Sequence, residues 1–382
     1  MATVVTEEET GMWFSVFEPV VYEAAEVPRG WPAAPRAFDR TRGHASMEHA
    51  FARLEAAHEV GFDSLTVAEH HYAPRQLTPD PIVFAAALSQ RIPGAYLTVM
   101  GTDLPLHNPI AVAERYAMLD CMLHGRLYVG LFRGTPNEYV TFGTNPGQSR
   151  DMFEEGVRLL KRAWTEPEPF GWEGVHYRYR TVAAWPQPVQ TPCPRLLTSA
   201  GSPESAIFAA RERLDIGFYG LPVEVAAKLA DVYREEARRR GWEPTPDNIL
   251  YRASIYVAET DDEALAHSVQ HDWGSLSGIL DPPPERAHDM VALMGGVIGS
   301  GWAKDPSLLQ AMMGAQASRL PTLLGSPETV ARQLREAQEV LGFGRFDAIS
   351  SGDLLPHELA MSSIRLFGEE VIPQFERTPV AA

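Results

Sequence analysis

The sequence is poor in cysteine, with only Cys121 and Cys193 among 382 residues. Two thiols cannot build a disulfide framework for a chain of this length, which excludes a small secreted fold held together by disulfides. The first ten residues have neither a basic start nor an apolar segment, which argues against a signal peptide. We therefore expect a protein of the reducing cytoplasm.

Basic residues are also scarce, since 33 lysines and arginines stand against 50 aspartates and glutamates, for a net charge of −17. A chain this acidic repels phosphate backbones and anionic lipid, so we expect neither nucleic-acid binding nor membrane attachment. No apolar run approaches the roughly 18 residues that a membrane-spanning helix requires. Any anionic ligand would need a local group of basic side chains.

Several common enzyme signatures are missing. No G-x-G-x-x-G follows the first predicted strand, and the chain has no P-loop lysine motif, no H-E-x-x-H and no G-x-S-x-G. Together these absences argue against a standard nucleotide-fold dehydrogenase, a P-loop enzyme, a zincin and an α/β-hydrolase.

The sequence does contain a regular alternation of short apolar runs and helical segments, which predicts right-handed βαβ units and a parallel sheet. The predicted strands are residues 12–17, 63–68, 95–100, 126–132, 195–199, 215–219, 249–257 and 346–350. Eight such units without an internal change of composition predict an α/β fold of one domain over residues 1–382, a (β/α)8 TIM barrel.

Three segments interrupt the alternation, and we expect insertions after strands 1, 4 and 7. The first is a proline-spotted loop, followed by a helix that Ser46 is predicted to cap. The second is the proline-rich stretch 166–194, with a short ribbon around 176–179. The third, 272–320, is glycine-rich in part and is a candidate active-site lid, whereas residues 1–10 are expected to be disordered.

Glu69, His70 and His71 stand at the end of the second predicted strand, where parallel α/β folds carry their chemistry. Adjacent residues of a strand point to opposite faces, which disfavours a metal site built from both histidines, and we expect no metal. Two interpretations stay open from the residues alone. The histidines are a hydrogen-bonded pair without a further role, or one imidazole is a general base or hydrogen-bond donor.

Arg133 follows the fourth predicted strand and Arg150 begins the next helix. Two arginines and a helix N-terminus can bind a phosphate, although surface ion pairs are the commoner role of a lone arginine in an acidic protein. The small-residue turn 198–203 either brings backbone N–H groups and Ser202 close to an anion or is an ordinary βα turn. Taken together, these features predict a phosphate-bearing cofactor over the barrel mouth.

Short motifs along the chain match those of one known family in order and spacing. They are Gly61-Phe62-Asp63 through Glu69-His70-His71, Leu104-Pro105-Leu106-His107-Asn108-Pro109, Leu119-Asp120 with Gly125-Arg126-Leu127, Gly130-Leu131-Phe132-Arg133-Gly134, Phe142-Gly143 with Ser149-Arg150, Pro186-Gln187-Pro188 with Gln190, Gly325-Ser326-Pro327-Glu328, and Leu366-Phe367-Gly368-Glu369-Glu370-Val371. From about Met12 to Phe375, the sequence resembles the bacterial luciferase-like family of flavin-dependent monooxygenases.

The resemblance implies an enzyme that takes reduced FMN from a separate flavin reductase. It implies that O2 then oxygenates a small organic substrate through a peroxyflavin. It also implies a homodimer formed through the helices at 79–91 and 109–121. The sequence does not name the substrate.

The resemblance further implies which residues act. His70 aligns with the catalytic histidine of luciferase, with Glu69 and His71 beside it, and a non-proline cis peptide at Met100-Gly101 would lie under the flavin ring. The positions that would hold the flavin phosphate are Arg133, Thr135, Arg150, Ala200, Gly201 and Ser202.

Two positions depart from luciferase. Phe132 stands where luciferase has a reactive cysteine, and Ala200 stands where it has an acidic residue. We therefore do not expect oxidation of long-chain aldehydes or emission of light. Two alternatives on the same barrel stay open: an oxidoreductase that uses the deazaflavin coenzyme F420 for hydride transfer, and a flavin-binding subunit without catalysis of its own.

Overall fold

The computed structural model describes residues 11–23, 32–74, 76–271, 321–351 and 355–376. The expected disorder of residues 1–10 and the candidate lid at 272–320 lie outside these described residues.

Eight parallel strands form a closed barrel. The strands of the described chain are, in order, β1 Trp13–Phe17, β2 Ser64–Val67, β3 Tyr96–Asp103, β4 Leu127–Phe132, β5 Phe170–Glu173, β6 Arg178–Val182, β7 Arg195–Ser199, β8 Asp215–Tyr219, β9 Ile249–Val257, β10 Thr322–Gly325 and β11 Arg345–Ile349. The barrel order is β1-β2-β3-β4-β7-β8-β9-β11, and parallel pairing of β11 with β1 completes the ring. All eight predicted strands are present, so the predicted TIM barrel is confirmed.

Helices surround the barrel. They are α1 Arg40–Glu59, α2 Pro81–Arg91, α3 Pro109–Met122, α4 Pro136–Phe142, α5 Ser149–Thr165, α6 Pro203–Glu212, α7 Val223–Arg239, α8 Asp261–Gln270, α9 Pro327–Leu341 and α10 His357–Leu366. Apolar stripes explain their packing, since α5 and α9 each bury one face of leucine, valine and alanine against the strands. No helix of the described segments is long and apolar enough to cross a membrane.

The helix before β2 begins earlier than predicted. Asp39 is its N-cap and accepts the backbone N–H of Arg42 at 2.8 Å. Ser46, the predicted cap, lies inside α1, where its hydroxyl donates to the Arg42 carbonyl at 2.9 Å and accepts the N–H of Glu23 at 2.9 Å. The prediction was wrong because a serine hydroxyl also bonds to the preceding turn of a helix, and the polar first turn of α1 hides its periodicity.

Short elements escaped prediction. The ribbon predicted around 176–179 is present as β5 paired with β6, and β6 overlaps the predicted position. The seven-residue α4 and the four-residue β10, which pairs with the second half of β9, were not predicted. Both are too short for hydrophobic periodicity to reveal.

Ion pairs fill the N-terminal end of the barrel. Arg195 contacts Asp215 and Asp247, and Arg345 Nε lies 2.8 Å from Asp247 Oδ1. Burial opposes ionisation of Asp247, but the two guanidiniums outweigh it and lower the pKa of this carboxyl. The predicted site residues instead meet at the opposite, C-terminal end.

Candidate active site

A cavity of about 380 Å³ opens among the C-terminal ends of the strands. Nine of the eleven predicted site residues line it: Glu69, His70, Met100, Gly101, Arg133, Thr135, Arg150, Gly201 and Ser202. Phe132, which stands where luciferase has a reactive cysteine, also lines the cavity. The chain thus brings together residues that lie more than a hundred positions apart, because parallel strands all end at the same rim.

Two predicted residues lie elsewhere. His71 faces a second cavity on the far side of the Glu69-His70-His71 segment, and its Nε2 lies 3.0 Å from Glu69 Oε1. Ala200 is fully buried, and its backbone N–H donates to the Gly217 carbonyl at 3.0 Å. Ala200 therefore shapes the turn without lining the cavity.

One end of the cavity is basic. Arg150 lies in the first turn of α5, and its Nη2 lies 3.5 Å from the hydroxyl of Ser202, the N-cap of α6. Burial lowers the pKa of Arg133, and the nearby charge of Arg150 lowers it further. The repulsion between the Arg133 and Arg150 charges would be relieved by an anion bound beside them.

The basic end fits a phosphate group. Within the described part of the chain, Arg150 forms no ion pair with a carboxylate, although the protein carries a large excess of acidic residues. A methyl group added at Gly201 would meet no atom within 4 Å, so open space lies beside the α6 N-terminus. An arginine without a described carboxylate partner, open space and a helix N-terminus together suit a flavin phosphate.

The middle of the cavity is walled by the Met100-Gly101 peptide, which is cis as predicted. A Cβ at Gly101 would lie 2.8 Å from both the Gly130 carbonyl oxygen and Phe132 Cγ, so only glycine fits. Below it, the Met100 sulfur accepts hydrogen bonds from the Tyr219 hydroxyl at 2.9 Å and from Arg252 Nη2 at 3.3 Å. The sequence did not predict these last two residues as part of the site.

The other end of the cavity holds His70, whose Nδ1 lies 3.1 Å from Glu138 Oε1. Glu138 is buried on α4 and also accepts hydrogen bonds from the backbone N–H and the hydroxyl of Thr135. Burial alone would raise the pKa of Glu138, but the bonds and charge of His70 and the bond of Thr135 lower it to about 2. Prediction missed Glu138, although Thr-x-x-Glu before a helix is a capping-box signal.

Glu69 is the centre of a second hydrogen-bond network. Its Oε1 lies 2.7 Å from His107 Nε2, and its Oε2 accepts the backbone N–H of Asp103 at 3.1 Å. Burial opposes ionisation of Glu69, but the bonds to His107 and His71 prevail and lower the pKa of its carboxyl. The two histidines of the motif thus bind different carboxylates, and their nitrogens do not converge on one point.

Asp103, at the end of β3, lies on the cavity wall between these networks and is buried. Burial raises its pKa well above the usual range, and the charges of Glu69 and Glu138 raise it further. Its Oδ2 has no hydrogen-bond partner among the residues described. Burial and the two neighbouring carboxylates therefore favour the protonated form of Asp103, and no local sequence pattern predicted this residue.

A parallel eight-stranded barrel with a basic pocket and a carboxylate-bound histidine at its mouth defines a class of fold and site: the TIM-barrel enzymes. Comparison with known proteins identifies the family. Residues 28–343 match the family model described as luciferase-like monooxygenase, and the chain belongs to this family. It is an oxidoreductase that incorporates oxygen and depends on a flavin.

Two characterised relatives cover most of the chain. Limonene 1,2-monooxygenase of Rhodococcus erythropolis is 26% identical over 84% of this chain and 80% of its own length. The oxygenase component of the flavin-dependent trigonelline monooxygenase of Acinetobacter baylyi is 21% identical over 85% of this chain and 89% of its own.

Solved structures agree with the barrel. The monooxygenase RslO1 of Streptomyces bottropensis superposes with a TM-score of 0.72 at 27% identity, over 95% of this chain and 99% of its own. The oxygenating constituent of 3,6-diketocamphane monooxygenase of Pseudomonas putida, in complex with FMN, superposes with a TM-score of 0.68 at 20% identity. The match covers 96% of this chain and 100% of the other. An F420-dependent secondary alcohol dehydrogenase superposes with a TM-score of 0.66 at 17% identity, over 94% of this chain and 98% of its own.

Proposed function

We propose that this enzyme binds reduced FMN in the 380 Å³ cavity and uses O2 to oxygenate a small organic substrate. The observation that carries the proposal is the basic end formed by Arg133, Arg150 and Ser202, which lies in the same cavity as His70. Reduced FMN, when bound, supplies the two electrons that activate O2. A separate reductase would deliver it, as the description of the trigonelline enzyme as an oxygenase component suggests.

Different residues of the cavity would bind the phosphate, face the flavin ring and exclude water. Arg133, Arg150 and the α6 N-terminus bind the phosphate by charge-assisted hydrogen bonds. The Met100-Gly101 backbone is the wall against which a planar ring would lie, and residue 101 has to be glycine because a Cβ there would collide with β4. Phe132 and Leu221 add apolar wall that keeps water away from the reacting atoms.

His70 is the proposed proton-transfer residue. Glu138 remains ionised at neutral pH, so the proton of the neutral imidazole is best placed on Nδ1, where it is donated to the carboxylate. Nε2 then carries a lone pair and can take or return a proton at the substrate side. Glu138 is a positioning residue in this scheme because it acts through His70.

A second candidate is hydride transfer from reduced coenzyme F420, because one of the superposable barrels uses that cofactor. The test is anaerobic titration of the protein with reduced FMN and with reduced F420, followed by admission of air. The proposal predicts tighter binding of reduced FMN and an altered rate of its reoxidation by air. Tighter binding of reduced F420, with reduced FMN oxidising as it does in free solution, would favour the second candidate.

We further propose a homodimer in the cytoplasm. α2 and α3 pack together and expose apolar side chains, with Val83 66% and Met118 50% exposed, and Met122 follows one turn after Met118. Apolar patches of this kind on adjacent helices mark interfaces. The free thiols of Cys121 and Cys193 suit a reducing compartment.

A further inference from the structure

A second cavity, of about 440 Å³, lies against the cofactor cavity and shares His70 with it. We refer to it as the apolar cavity. Three elements line it: the loop after β1 contributes Phe38, α1 contributes Met47, and the loop after β2 contributes Leu77. A cavity of this volume lies in the range of small-molecule sites.

None of the described residues that line the apolar cavity is an aspartate, glutamate, lysine or arginine. The described lining thus differs in composition from the chain as a whole, which has 50 acidic residues. Alanine, proline, phenylalanine, methionine and leucine supply most of the lining. A bound ion would lose its hydration here without a compensating partner.

Most polar groups of that wall form bonds within the protein, whereas Gln76 Oε1 has no hydrogen-bond partner among the described residues. The Tyr22 hydroxyl accepts the N–H of Asp39 at 2.8 Å and donates to the Ala37 carbonyl. His71 Nε2 lies 3.0 Å from Glu69, and His70 Nδ1 lies 3.1 Å from Glu138. Among the described contacts, His70 Nε2 forms no hydrogen bond, so it is the polar atom that the imidazole can offer at the junction of the cavities.

We propose that the apolar cavity is the substrate site and that the substrate is an uncharged, mainly apolar molecule whose reacting end lies at His70. This inference rests on the proposed function, because it takes the neighbouring cavity as the place of the flavin. Phosphorylated, carboxylated and sulfonated substrates are disfavoured, because the described residues of the lining offer such an anion no cationic partner. A neutral hydrocarbon skeleton with at most one polar group fits it.

The test titrates the full chain under anaerobic conditions with two fluorescent probes, before and after addition of saturating reduced FMN. N-phenylnaphthylamine is neutral, and anilinonaphthalene sulfonate adds a negative charge to nearly the same rings. We expect one equivalent of the neutral probe to bind and the anion to bind at least about tenfold more weakly. Equal binding of the two probes, or displacement of the neutral probe by FMN, would overturn the proposal.

Variants locate the probe. Ala73→Trp and Ala33→Trp each place a large side chain in the apolar cavity, and two separate positions guard against one that fails to fold. Ala183→Trp is the matched control, at an exposed site that lines neither cavity. Both cavity variants should weaken the neutral probe at least about tenfold while FMN affinity stays within about twofold. The control should change neither, and unchanged probe binding in folded cavity variants contradicts the proposal.

The experiment distinguishes a failure of the proposed function from a failure of the apolar-cavity assignment. Absence of reduced-FMN binding by the unmodified protein refutes the proposed function, whatever the probes do. Normal FMN binding with a probe that ignores Ala73→Trp and Ala33→Trp refutes only the assignment of the apolar cavity.

Discussion

Replacing Asp103 by asparagine is expected to stabilise the protein at neutral pH, although the residue is buried at the active site. Burial and the charges of Glu69 and Glu138 raise the pKa of Asp103, so the folded state holds this proton more tightly than the unfolded state does. Asparagine has nearly the same shape and is neutral at every pH. The variant therefore avoids the free energy that the wild type spends on holding this proton.

The sign and size follow from linkage. A carboxyl group whose pKa is raised on folding binds more protons in the folded than in the unfolded state, so its contribution to stability falls as pH rises. The loss begins near the unfolded pKa of about 3.9 and ends at the folded pKa, with a slope of up to about 1.4 kcal/mol per pH unit. The advantage of Asp103→Asn should grow over this window and then stay constant.

The assay is urea unfolding of both proteins at several pH values from about 4 to 8, followed by the fluorescence of the 8 tryptophans. Other groups titrate alike in the two proteins and cancel in the difference. Asp231→Asn, at an exposed site, is the control and should give a flat difference. A flat difference for Asp103→Asn as well would refute the argument that this carboxyl is neutral when folded.

Three further predictions concern Glu138, Gly101 and the dimer. The depressed pKa of Glu138, about 2 against a usual 4.5, stabilises the fold above pH 4.5, and that contribution is lost as pH falls toward 2. Urea unfolding should thus show wild type and Glu138→Gln converging in stability on acidification, and a constant gap would contradict this. Gly101→Ala should lose about 1–3 kcal/mol of unfolding free energy through its collision with Gly130 and Phe132, whereas Gly201→Ala should be unchanged; equal loss in both would refute the steric reasoning. Met118→Lys should yield monomers in sedimentation velocity, with exposed Val340→Lys as control, and a monomeric wild type would refute the interface.

The barrel was predictable because each strand is a buried apolar run with helical segments on both sides. Such local patterns specify element type directly. Arg133, Arg150 and the turn at Ser202 were also predictable, because parallel strands end at a common rim and residues just after them must meet.

Other parts of the site depend on register and could not be read locally. Arg252 on β9 reaches the Met100 sulfur on β3 across the barrel, a contact that depends on strand tilt and stagger. Asp103 ends a strand that was predicted to stop at residue 100, so it was not recognised as a rim residue. His71 was placed in the site, although strand alternation already predicted that it faces away from His70.

We propose that the basic end of the 380 Å³ cavity holds the flavin phosphate. The most direct test compares the anaerobic affinities of reduced FMN and reduced riboflavin, which lacks the phosphate, for the wild type and for Arg150→Ala. Exposed Arg239→Ala serves as the control. We predict that the wild type prefers FMN, that Arg150→Ala weakens FMN about 10- to 100-fold, and that riboflavin affinity is unaffected by the change. Equal affinity of the wild type for the two flavins, or equal loss of both in Arg150→Ala, would contradict the account.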